Sequence, residues 1–153
     1  MNILTKVKVI FNQLNYKNLM NKFLIVGAGG FIGGHLINRL IGEGNSVRAV
    51  DLKPIDMWFQ KFENVENFSL DMQEFENCLK MSKDVDYVMN LACNMGGIGF
   101  IENNKAECML SVLINTNLLK ACQKNNVKRY FFSSSACAYN KDLQNHPNIE
   151  GLR

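Results

Sequence analysis

The stretch KFLIVGAGGFIGGHL, residues 22–36, decides the fold of this chain. Its first segment, 22–26, is a short apolar run rich in β-forming side chains, and glycines follow it at once, which is typical of a buried parallel strand. Apolar side chains then recur at helical spacing over residues 31–41, and GEGN at 42–45 ends this helix. A strand, a glycine-rich turn and a helix in direct succession predict the first unit of an α/β fold.

The glycines of this turn have the spacing G-x-x-G-x-x-G. In a dinucleotide-binding turn, Gly27 allows the tight bend, Gly30 lets the backbone approach a pyrophosphate, and Gly33 lets the helix pack against the sheet. The free N–H groups at the start of the helix, at Phe31 and Ile32, would then face the phosphates. A glycine pattern alone is a weak signal, but here a strand precedes it and a helix follows it.

Two acidic residues follow predicted strands further along the chain. Asp51 ends the segment SVRAVD, close to the roughly 20-residue distance at which such folds place an acid. A carboxylate there accepts hydrogen bonds from a ribose diol and repels a 2′-phosphate, which favours NAD over NADP. The alternative is a solvated strand-end acid, and Lys53 nearby keeps some NADP use open. Asp71 ends the third predicted strand and is a candidate partner of the adenine amino group. It is also a candidate N-cap for the next helix, and both roles can coexist.

Strands and helices alternate along the whole chain. The predicted strands are residues 22–26, 46–51, 67–71, 85–93 and 127–135; the predicted helices are 31–41, 73–82 and 102–125, and residues 53–66 form a connection with one short helix. The last helix is expected to bury an apolar side made of Met109, Leu110, Leu113, Ile114, Leu118, Leu119 and Cys122. This alternation predicts a Rossmann-like, doubly wound parallel sheet of order 3-2-1-4-5, with ligands at the carboxyl ends of its strands.

Residues 21–140 form the predicted NAD-binding Rossmann domain. Residues 1–20 are a lead-in segment, for which Met20 is an alternative start, and residues 141–153 are a polar tail. With 153 residues, 47% hydrophobic and 20% charged, the chain has the composition of a soluble globular domain. The net charge is +3 and the lysines are scattered, so nucleic acid is not an expected partner. No apolar run reaches the roughly 18 to 20 residues that span a bilayer, so no membrane association is expected.

The five cysteines are odd in number and have no C-x-x-C spacing. This pattern argues against a disulfide framework and against a metal site, and it favours reduced thiols in a cytoplasmic protein. Four of the five are expected to pack in the core: Cys78, Cys93, Cys108 and Cys122.

Taken together, the motifs resemble the extended short-chain dehydrogenase/reductase family, the NAD-dependent epimerases and dehydratases of sugar nucleotides. The matching pieces are GAGGFIG, the two aspartates Asp51 and Asp71, NLAC after the fourth strand and SSSAC after the fifth. The resemblance implies NAD as the cofactor, with Leu91 and Ala92 beside it. It covers only the first half of the family's usual length.

A narrower resemblance is to the GDP-mannose 3,5-epimerases of that family, through ENCLK (76–80), NMGGIGFI (94–101) and SSSACAY (133–139). It implies a nucleotide-sugar substrate, a GDP-hexose, which Gly96 contacts. Ser135 would lie beside the sugar, and Cys137 would be one acid/base of epimerisation. In such a reaction NAD oxidises the sugar at C4, the ketone acidifies the protons on C3 and C5, and the same cofactor returns the hydride.

The chemistry is compatible with a thiol in this place. A free thiol titrates at about 8.5, close enough to the working pH to give up and take back a proton. Side chains alternate along a strand, so Ser133, Ser135 and Cys137 would point to one side of an extended segment. The alternative interpretation of Cys137 is a small buried hydrophobic residue.

The family's pair of a tyrosine and a lysine four residues later is missing. None of the four tyrosines is followed by a lysine at that spacing. The chain is therefore expected to be the NAD-binding half of an enzyme, truncated before the substrate domain and inactive alone, while a full-length form would be free to form a homodimer. Two alternatives stay open: another sugar-nucleotide epimerase or dehydratase, and a non-catalytic NAD-binding module.

Overall fold

The computed structural model describes residues 20–94 and 98–134. Within these two ranges, five parallel strands form one sheet in the order β3-β2-β1-β4-β5, as the alternation of elements predicted. The strands are β1 (Lys22–Val26), β2 (Ser46–Asp51), β3 (Glu66–Ser69), β4 (Tyr87–Asn90) and β5 (Arg129–Phe132). The strand order reverses between β1 and β4, so the connections that leave the carboxyl ends of these two strands run to opposite faces of the sheet. Doubly wound sheets bind their ligands in the crevice between such connections.

The helices lie between consecutive strands. They are α1 (Phe31–Gly42), α2 (Phe75–Met81), α3 (Ile98–Asn103) and α4 (Lys105–Lys124), with a short 3₁₀ turn at Ile55–Met57. Because the strands are parallel, the chain must return to the same end of the sheet before each new strand begins. The helices, and the connection that contains the 3₁₀ turn, make that return. In the part of the chain that the structure describes, no helix is long and apolar enough to cross a bilayer.

The sheet is covered on both faces, which the alternation of side chains along β1 makes visible. Leu24 and Val26 point into one core cluster, formed with α2 and α4. Phe23 and Ile25 point into the other, formed with α1 and the connection after β2. Successive side chains of a strand point to opposite faces, so a central strand buried on both sides is a near-continuous apolar run. This is the reason why residues 23–26 are all apolar.

Three predicted strands are shorter in the structure. β3 ends at Ser69 instead of residue 71, β4 spans four residues instead of 85–93, and β5 spans four instead of 127–135. The pairing partners limit them. The register of β4 on β1 runs only to Asn90 opposite Val26, and the next residue of the first strand, Gly27, turns away with a φ of +85°. Hydrophobic runs continue past the point at which a neighbouring strand is available to pair.

The prediction of one helix over residues 102–125 is wrong. The segment forms α3 and α4 with a break at Asn104, whose φ is −127° and ψ 40°. The side-chain amide of Asn104 donates to the carbonyl of Phe100 at 2.9 Å, and its own carbonyl accepts from Cys108 N–H. An asparagine competes well for backbone partners, which explains the interruption.

The apolar side expected for that helix is buried only in part. Leu118, Ala121 and Cys122 are buried against the sheet and α2. Four expected core residues are substantially exposed: Met109, Leu110, Leu113 and Leu119. Among the described residues, the short helix α2 contacts only part of the length of α4, and the amino-terminal turns of α4 have few packing partners there.

The four cysteines that the structure describes also differ in their burial. Cys78 and Cys122 are buried, as expected, whereas Cys93 is exposed and Cys108 lies at intermediate depth. The core prediction is therefore wrong for Cys93 and only partly right for Cys108. Burial raises the pKa of the Cys78 thiol to about 11 and that of Cys122 to about 12, so both are neutral packing groups at neutral pH.

At the end of the sheet opposite the crevice, Arg48 of β2 contacts both β3 and the end of α2. Its guanidinium donates to the carbonyls of Met81 and Lys83 at 2.7 and 2.8 Å, which satisfies carbonyl groups at the end of α2. It also pairs with Glu66 on β3 at 2.8 Å, and Lys22 pairs with the same carboxylate. These bonds hold the amino-terminal ends of the strands and leave the carboxyl ends free for the site.

Candidate functional site

The carboxyl ends of β1 to β4 border a cleft with a volume of about 370 Å³. Most of the predicted cofactor residues line it: Gly27, Gly30, Asp51, Asp71, Leu91 and Ala92. Lys53, Gln73, Cys93, Asn94 and Ser111 line it as well. The cleft lies beside the point where the strand order reverses, which is the expected location for a ligand in this architecture.

The glycine turn is bound to the sheet by its backbone. Gly27 and Ala28 both donate to the carbonyl of Val50, at 2.9 and 3.1 Å, and the left-handed φ of Gly27 turns the chain toward α1. A Cβ at Gly33 would lie 2.4 Å from the carbonyl oxygen of Gly27, so the helix contacts the turn directly. The two outer glycines therefore have the steric tasks that the spacing predicts.

The middle glycine faces open space. A Cβ at Gly30 would approach only the carbonyl oxygen of Gly27, at 3.4 Å, and Gly30 lines the cleft. A side chain here would occupy the cleft without disturbing the fold. The position thus leaves room for a group that must lie close to the backbone.

Helix α1 begins directly after this open position. Gly30 is its N-cap and supplies no side-chain hydrogen bond, and the first N–H groups of any helix lack intrahelical acceptors. The side chains of Phe31 and Ile32 are exposed. They do not line the cleft, so it is their backbone N–H groups, not their side chains, that lie at the start of α1 next to Gly30.

Asp51 connects the turn to the end of β2. One carboxylate oxygen accepts from the N–H of Gly29 at 2.9 Å, and the other accepts from the N–H of Lys53 at 3.0 Å. A carboxylate offers about four lone-pair sites, so two acceptor sites remain for another donor. Asp51 is thus no freely solvated acid, because its carboxylate joins the glycine turn to the segment that follows β2.

Asp71 lies on the next strand connection, at the far side of the cleft. Its carboxylate accepts from the N–H of Gln73 at 2.8 Å, which closes a local turn. Helix α2 begins at Phe75 with Glu74 as its N-cap, so the alternative role of Asp71 as N-cap of that helix is wrong. Asn117 of α4 donates to the carbonyl of Gln73 at 2.7 Å and fixes this turn against the helix.

A buried polar network, which the sequence analysis missed, supports the end of β4. Asn90 is 1% exposed; its amide donates to the Tyr130 hydroxyl at 3.0 Å, and its side-chain oxygen accepts from Ala92 N–H at 3.2 Å. The Tyr130 hydroxyl donates in turn to Asn115 at 2.5 Å. Burial raises the pKa of Tyr130 to about 12. The only sequence signal for this network was an asparagine inside an apolar strand.

The same asparagine connects the ends of two strands. The carbonyl oxygen of Asn90 accepts from the N–H and the hydroxyl of Ser133, both at 3.3 Å. The segment after β4, which borders the cleft, and the segment after β5 are thereby held side by side. The residues predicted to bind and act on substrate, Gly96, Ser135 and Cys137, lie outside the described residues.

Cys93 stands at the edge of the cleft, next to a loop that docks on α4. Asn94 N–H donates to the Ser111 hydroxyl at 3.0 Å. Partial burial and the neighbouring Cys108 raise the pKa of the Cys93 thiol. At neutral pH it is a neutral thiol on the wall of the cleft.

The model of the NAD dependent epimerase/dehydratase family matches residues 23–152. The chain belongs to this family. NAD is accordingly its cofactor, and the cleft fits such a group: the open face of Gly30, the uncapped start of α1 and the two acceptor sites left on Asp51 provide space, N–H donors and an acceptor for a ribose.

The curated relatives that are 41% and 42% identical to this chain are plant enzymes. The chain is 41% identical over 126 residues to GDP-mannose 3,5-epimerase 1 of Oryza sativa subsp. indica, covering 82% of this chain and 33% of that one. It is 42% identical over 119 residues to GDP-mannose 3,5-epimerase of Arabidopsis thaliana, covering 77% and 32%. The chain thus spans about a third of the length of these relatives.

Solved structures of the same fold include sugar-nucleotide enzymes. MoeE5 in complex with UDP-glucose and NAD is 28% identical, with a TM-score of 0.68 over 78% of this chain and 38% of that one. UDP-N-acetylglucosamine 4-epimerase from Methanobrevibacter ruminantium M1, in complex with UDP-N-acetylmuramic acid, is 26% identical, with a TM-score of 0.69 over 87% and 44%. Both similarities support the Rossmann-like assignment of the fold.

Proposed function

We propose that this chain is the NAD-binding half of a sugar-nucleotide epimerase of the GDP-mannose 3,5-epimerase type. The observation that carries the proposal is the Asp51 carboxylate, which lies at the end of β2 and is hydrogen-bonded to Gly29 and Lys53. This geometry leaves an acceptor at the cleft for a ribose diol, and its charge disfavours a 2′-phosphate. The plant relatives support the GDP-sugar assignment.

We assign roles to further residues that lie in the cleft or beside it. The N–H groups of Phe31 and Ile32, at the uncapped start of α1, bind the pyrophosphate beside Gly30. The second oxygen of Asp71 accepts from the adenine amino group, while the first holds the local turn. Leu91 and Ala92 form the apolar wall after β4.

When held by Asp51 and the start of α1, NAD would supply a reversible hydride acceptor for C4 of the sugar. The chain's own contribution to epimerisation is a proton carrier, for which we propose the thiol of Cys137, with Ser135 as donor to the C4 oxygen and Gly96 in contact with the substrate. A thiol is suited to this work because it gives up and takes back a proton near neutral pH. We also propose a cytoplasmic location and, for a longer form of the protein, a homodimer.

Cofactor binding is the first test. Titration calorimetry of the purified chain with NADH and NADPH should show tighter binding of NADH. Asp51→Asn should weaken NADH binding by about tenfold or more, because hydrogen bonds to charged groups contribute about 1.5–3 kcal/mol. Asp56→Asn is the matched control, since it removes the same charge from an exposed position of the same connection. Equal NADH affinity in the two variants, or tighter binding of NADPH, would contradict the role of Asp51.

The reaction is tested by exchange of sugar protons with solvent. An epimerase of this type incorporates deuterium from D₂O at C3 and C5 of GDP-mannose, and mass spectrometry with NMR locates the label. The assay is made on this chain and, where the reading frame continues through a Tyr-x-x-x-Lys pair, on the longer product. Cys137→Ser should abolish exchange and spare NADH binding. Undiminished exchange in that variant would overturn the role of the thiol.

The second candidate function is a non-catalytic NAD-binding module. The observation that favours it is that the described cleft is lined by the glycine turn, Asp51 and the apolar wall after β4, which are the residues proposed to bind the cofactor. Such a module binds NADH with the selectivity described above but exchanges no sugar protons in either assay. A third outcome, exchange with UDP-sugars alone, would instead assign the chain to another group of the family. One member of such a group is UDP-glucuronic acid decarboxylase 4 of Arabidopsis thaliana, to which this chain is 26% identical.

A further inference from the structure

Two glycines near the cofactor turn are not used by the fingerprint: Gly29, in the turn, and Gly34, in the first turn of α1. A Cβ at Gly29 would lie 2.7 Å from Cδ1 of Trp58 and 2.9 Å from its Cγ and Nε1. A Cβ at Gly34 would lie 3.2 Å from Cβ of Gln60 and 3.3 Å from Cδ1 of Phe59. Neither glycine has a left-handed φ. Their common task is therefore to make room for residues 58–60, which cross over the turn and the first turn of α1.

Trp58 is the single tryptophan of the chain and is 6% exposed, although it lies in the connection between β2 and β3. Its indole N–H donates to the carbonyl of Lys53 at 3.0 Å. The N–H of the next residue, Phe59, donates to the carbonyl of Gly29 at 3.1 Å. The indole is thus packed on the glycine turn and hydrogen-bonded to the residues that follow β2.

Lys53 is held on both sides by this arrangement. Its N–H donates to the carboxylate of Asp51 at 3.0 Å, and its carbonyl accepts from the indole of Trp58 at 3.0 Å. The other oxygen of Asp51 accepts from Gly29. A closed ring of contacts therefore lies at the edge of the cleft, formed by Gly29, Asp51, Lys53 and Trp58. Pro54 follows and restricts the backbone of Lys53 to an extended conformation.

Lys53 is the only cation among the described residues that line the cleft. A lysine beside an acid at the end of the second strand creates a competition. The carboxylate favours the ribose diol of NAD, whereas the ammonium would favour the 2′-phosphate of NADP. Which group faces the ribose depends on the direction in which the chain leaves β2, and the ring of contacts fixes that direction.

We propose that Trp58 is a positioning residue that determines the preference of this cleft for NAD over NADP, by holding the backbone of Lys53 so that Asp51 faces the ribose. The inference rests on the proposed role of Asp51 in cofactor binding. Trp58 does not contact the cofactor. It acts through the carbonyl of Lys53 and through the turn at Gly29.

The experiment compares the dissociation constants of NADH and NADPH by titration calorimetry in wild type and Trp58→Phe. Phenylalanine keeps an aromatic ring and removes the indole N–H, so the backbone of Lys53 is released. The ratio of the NADPH constant to the NADH constant should fall by about three- to tenfold, the effect expected for one lost neutral hydrogen bond. A purely structural role would weaken both dinucleotides by the same factor, and an unchanged ratio would overturn the inference.

Two further variants isolate the mechanism. In a Lys53→Met background Trp58→Phe should lower the ratio by a smaller factor than in wild type, since the backbone is still released but no ammonium is left to attract a 2′-phosphate; a fall by the same factor in both backgrounds would contradict the role of Lys53. Gly29→Ala places a methyl group against the indole and should lower the ratio as Trp58→Phe does. Gly42→Ala is its matched control, because a Cβ there meets nothing within 4 Å, and it should leave the ratio unchanged. A Gly29→Ala variant with the wild-type ratio would count against the inference.

Failure of this inference is separable from failure of the proposed function. Wild-type protein that binds neither dinucleotide overturns both. Wild type that prefers NADH, together with variants that keep its ratio, overturns the inference alone. Should Trp58→Phe fail to fold, incorporation of 3-benzothienylalanine at the unique tryptophan codon replaces the N–H by sulfur with nearly the same shape. The same fall in the ratio is then expected, and an unchanged ratio refutes the inference.

Discussion

Replacing Gly33 by alanine should destabilise the whole fold and not only the cofactor turn. The added Cβ would lie 2.4 Å from the carbonyl oxygen of Gly27, 2.8 Å from Cα of Ala28 and 2.9 Å from its carbonyl oxygen. All three are backbone atoms. They cannot yield easily, because Gly27 and Ala28 are both hydrogen-bonded to the carbonyl of Val50. Helix α1 must therefore move instead.

The required movement sets the magnitude. Restoring ordinary contact for the new methyl group takes a retreat of α1 by about 1 Å. Such a shift loosens the packing of Ile37 and Leu40, which are 0% and 7% exposed, against β1 and β2. Overpacking of this kind costs about 1–3 kcal/mol, and we expect the upper end because no flexible side chain can give way. Unfolding temperature falls by roughly 2–4 °C per kcal/mol in chains of this size, so a decrease of roughly 6–12 °C is expected.

The assay follows the fluorescence of Trp58, the single tryptophan, during thermal and urea unfolding. Gly42→Ala is the control: it is the same substitution in the same helix, but its Cβ meets nothing within 4 Å. That variant should be as stable as wild type or slightly more so, since glycine costs a helix about 0.5–1 kcal/mol relative to alanine. Equal unfolding temperatures for Gly33→Ala and Gly42→Ala would refute the steric argument.

Three further predictions concern the core, the sheet edge and the cleft. Tyr130→Phe removes the hydroxyl that accepts from Asn90 at 3.0 Å and donates to Asn115 at 2.5 Å. It should lower the free energy of unfolding by about 1–3 kcal/mol in urea titrations, the effect of two lost hydrogen bonds; an unchanged midpoint would contradict a stabilising role of this network. Although burial opposes its ionisation, hydrogen bonds from Lys22 and Arg48 lower the pKa of Glu66 below its usual 4.5, so its stabilising contribution is complete above that pH and is lost as the pH falls through the lowered pKa. The stability difference between wild type and Glu66→Gln should therefore shrink on acidification, and a difference that persists or grows would contradict the pairing. Cys93 lines the cleft, so NADH should slow its alkylation by N-ethylmaleimide, measured by peptide mass spectrometry; equal labelling with and without NADH would place the cofactor elsewhere.

Much of the fold was predictable because it depends on short-range patterns. The apolar run of β1, the glycines after it and the helical spacing of α1 lie within about twenty residues, and the sheet order follows from the alternation of elements. The boundaries of β3, β4 and β5 were not predictable. Each strand ends where its neighbour stops pairing, and apolar residues such as Leu91 continue past that point.

Some residues of the candidate site were predictable from sequence spacing, and others were not. The spacing of Gly27, Gly30 and Gly33 and the position of Asp51 identify the cleft, because these residues act at fixed distances along the chain. Asn90 and Trp58 were missed for the opposite reason. Their importance comes from partners about 40 residues away, in the case of Asn90 and Tyr130, or from contact with a glycine on another element, as for Trp58 and Gly29.

By itself, the sequence determined the class of fold, the order of the strands and the family, because local periodicity and motif spacing encode them directly. It also located the carboxylates at the strand ends. Only the tertiary structure decided that Asp51 holds the glycine turn with one oxygen and Lys53 with the other, and that an indole from the next connection closes the ring. Those contacts join residues that no periodicity relates, since they depend on how two connections cross at the edge of one sheet.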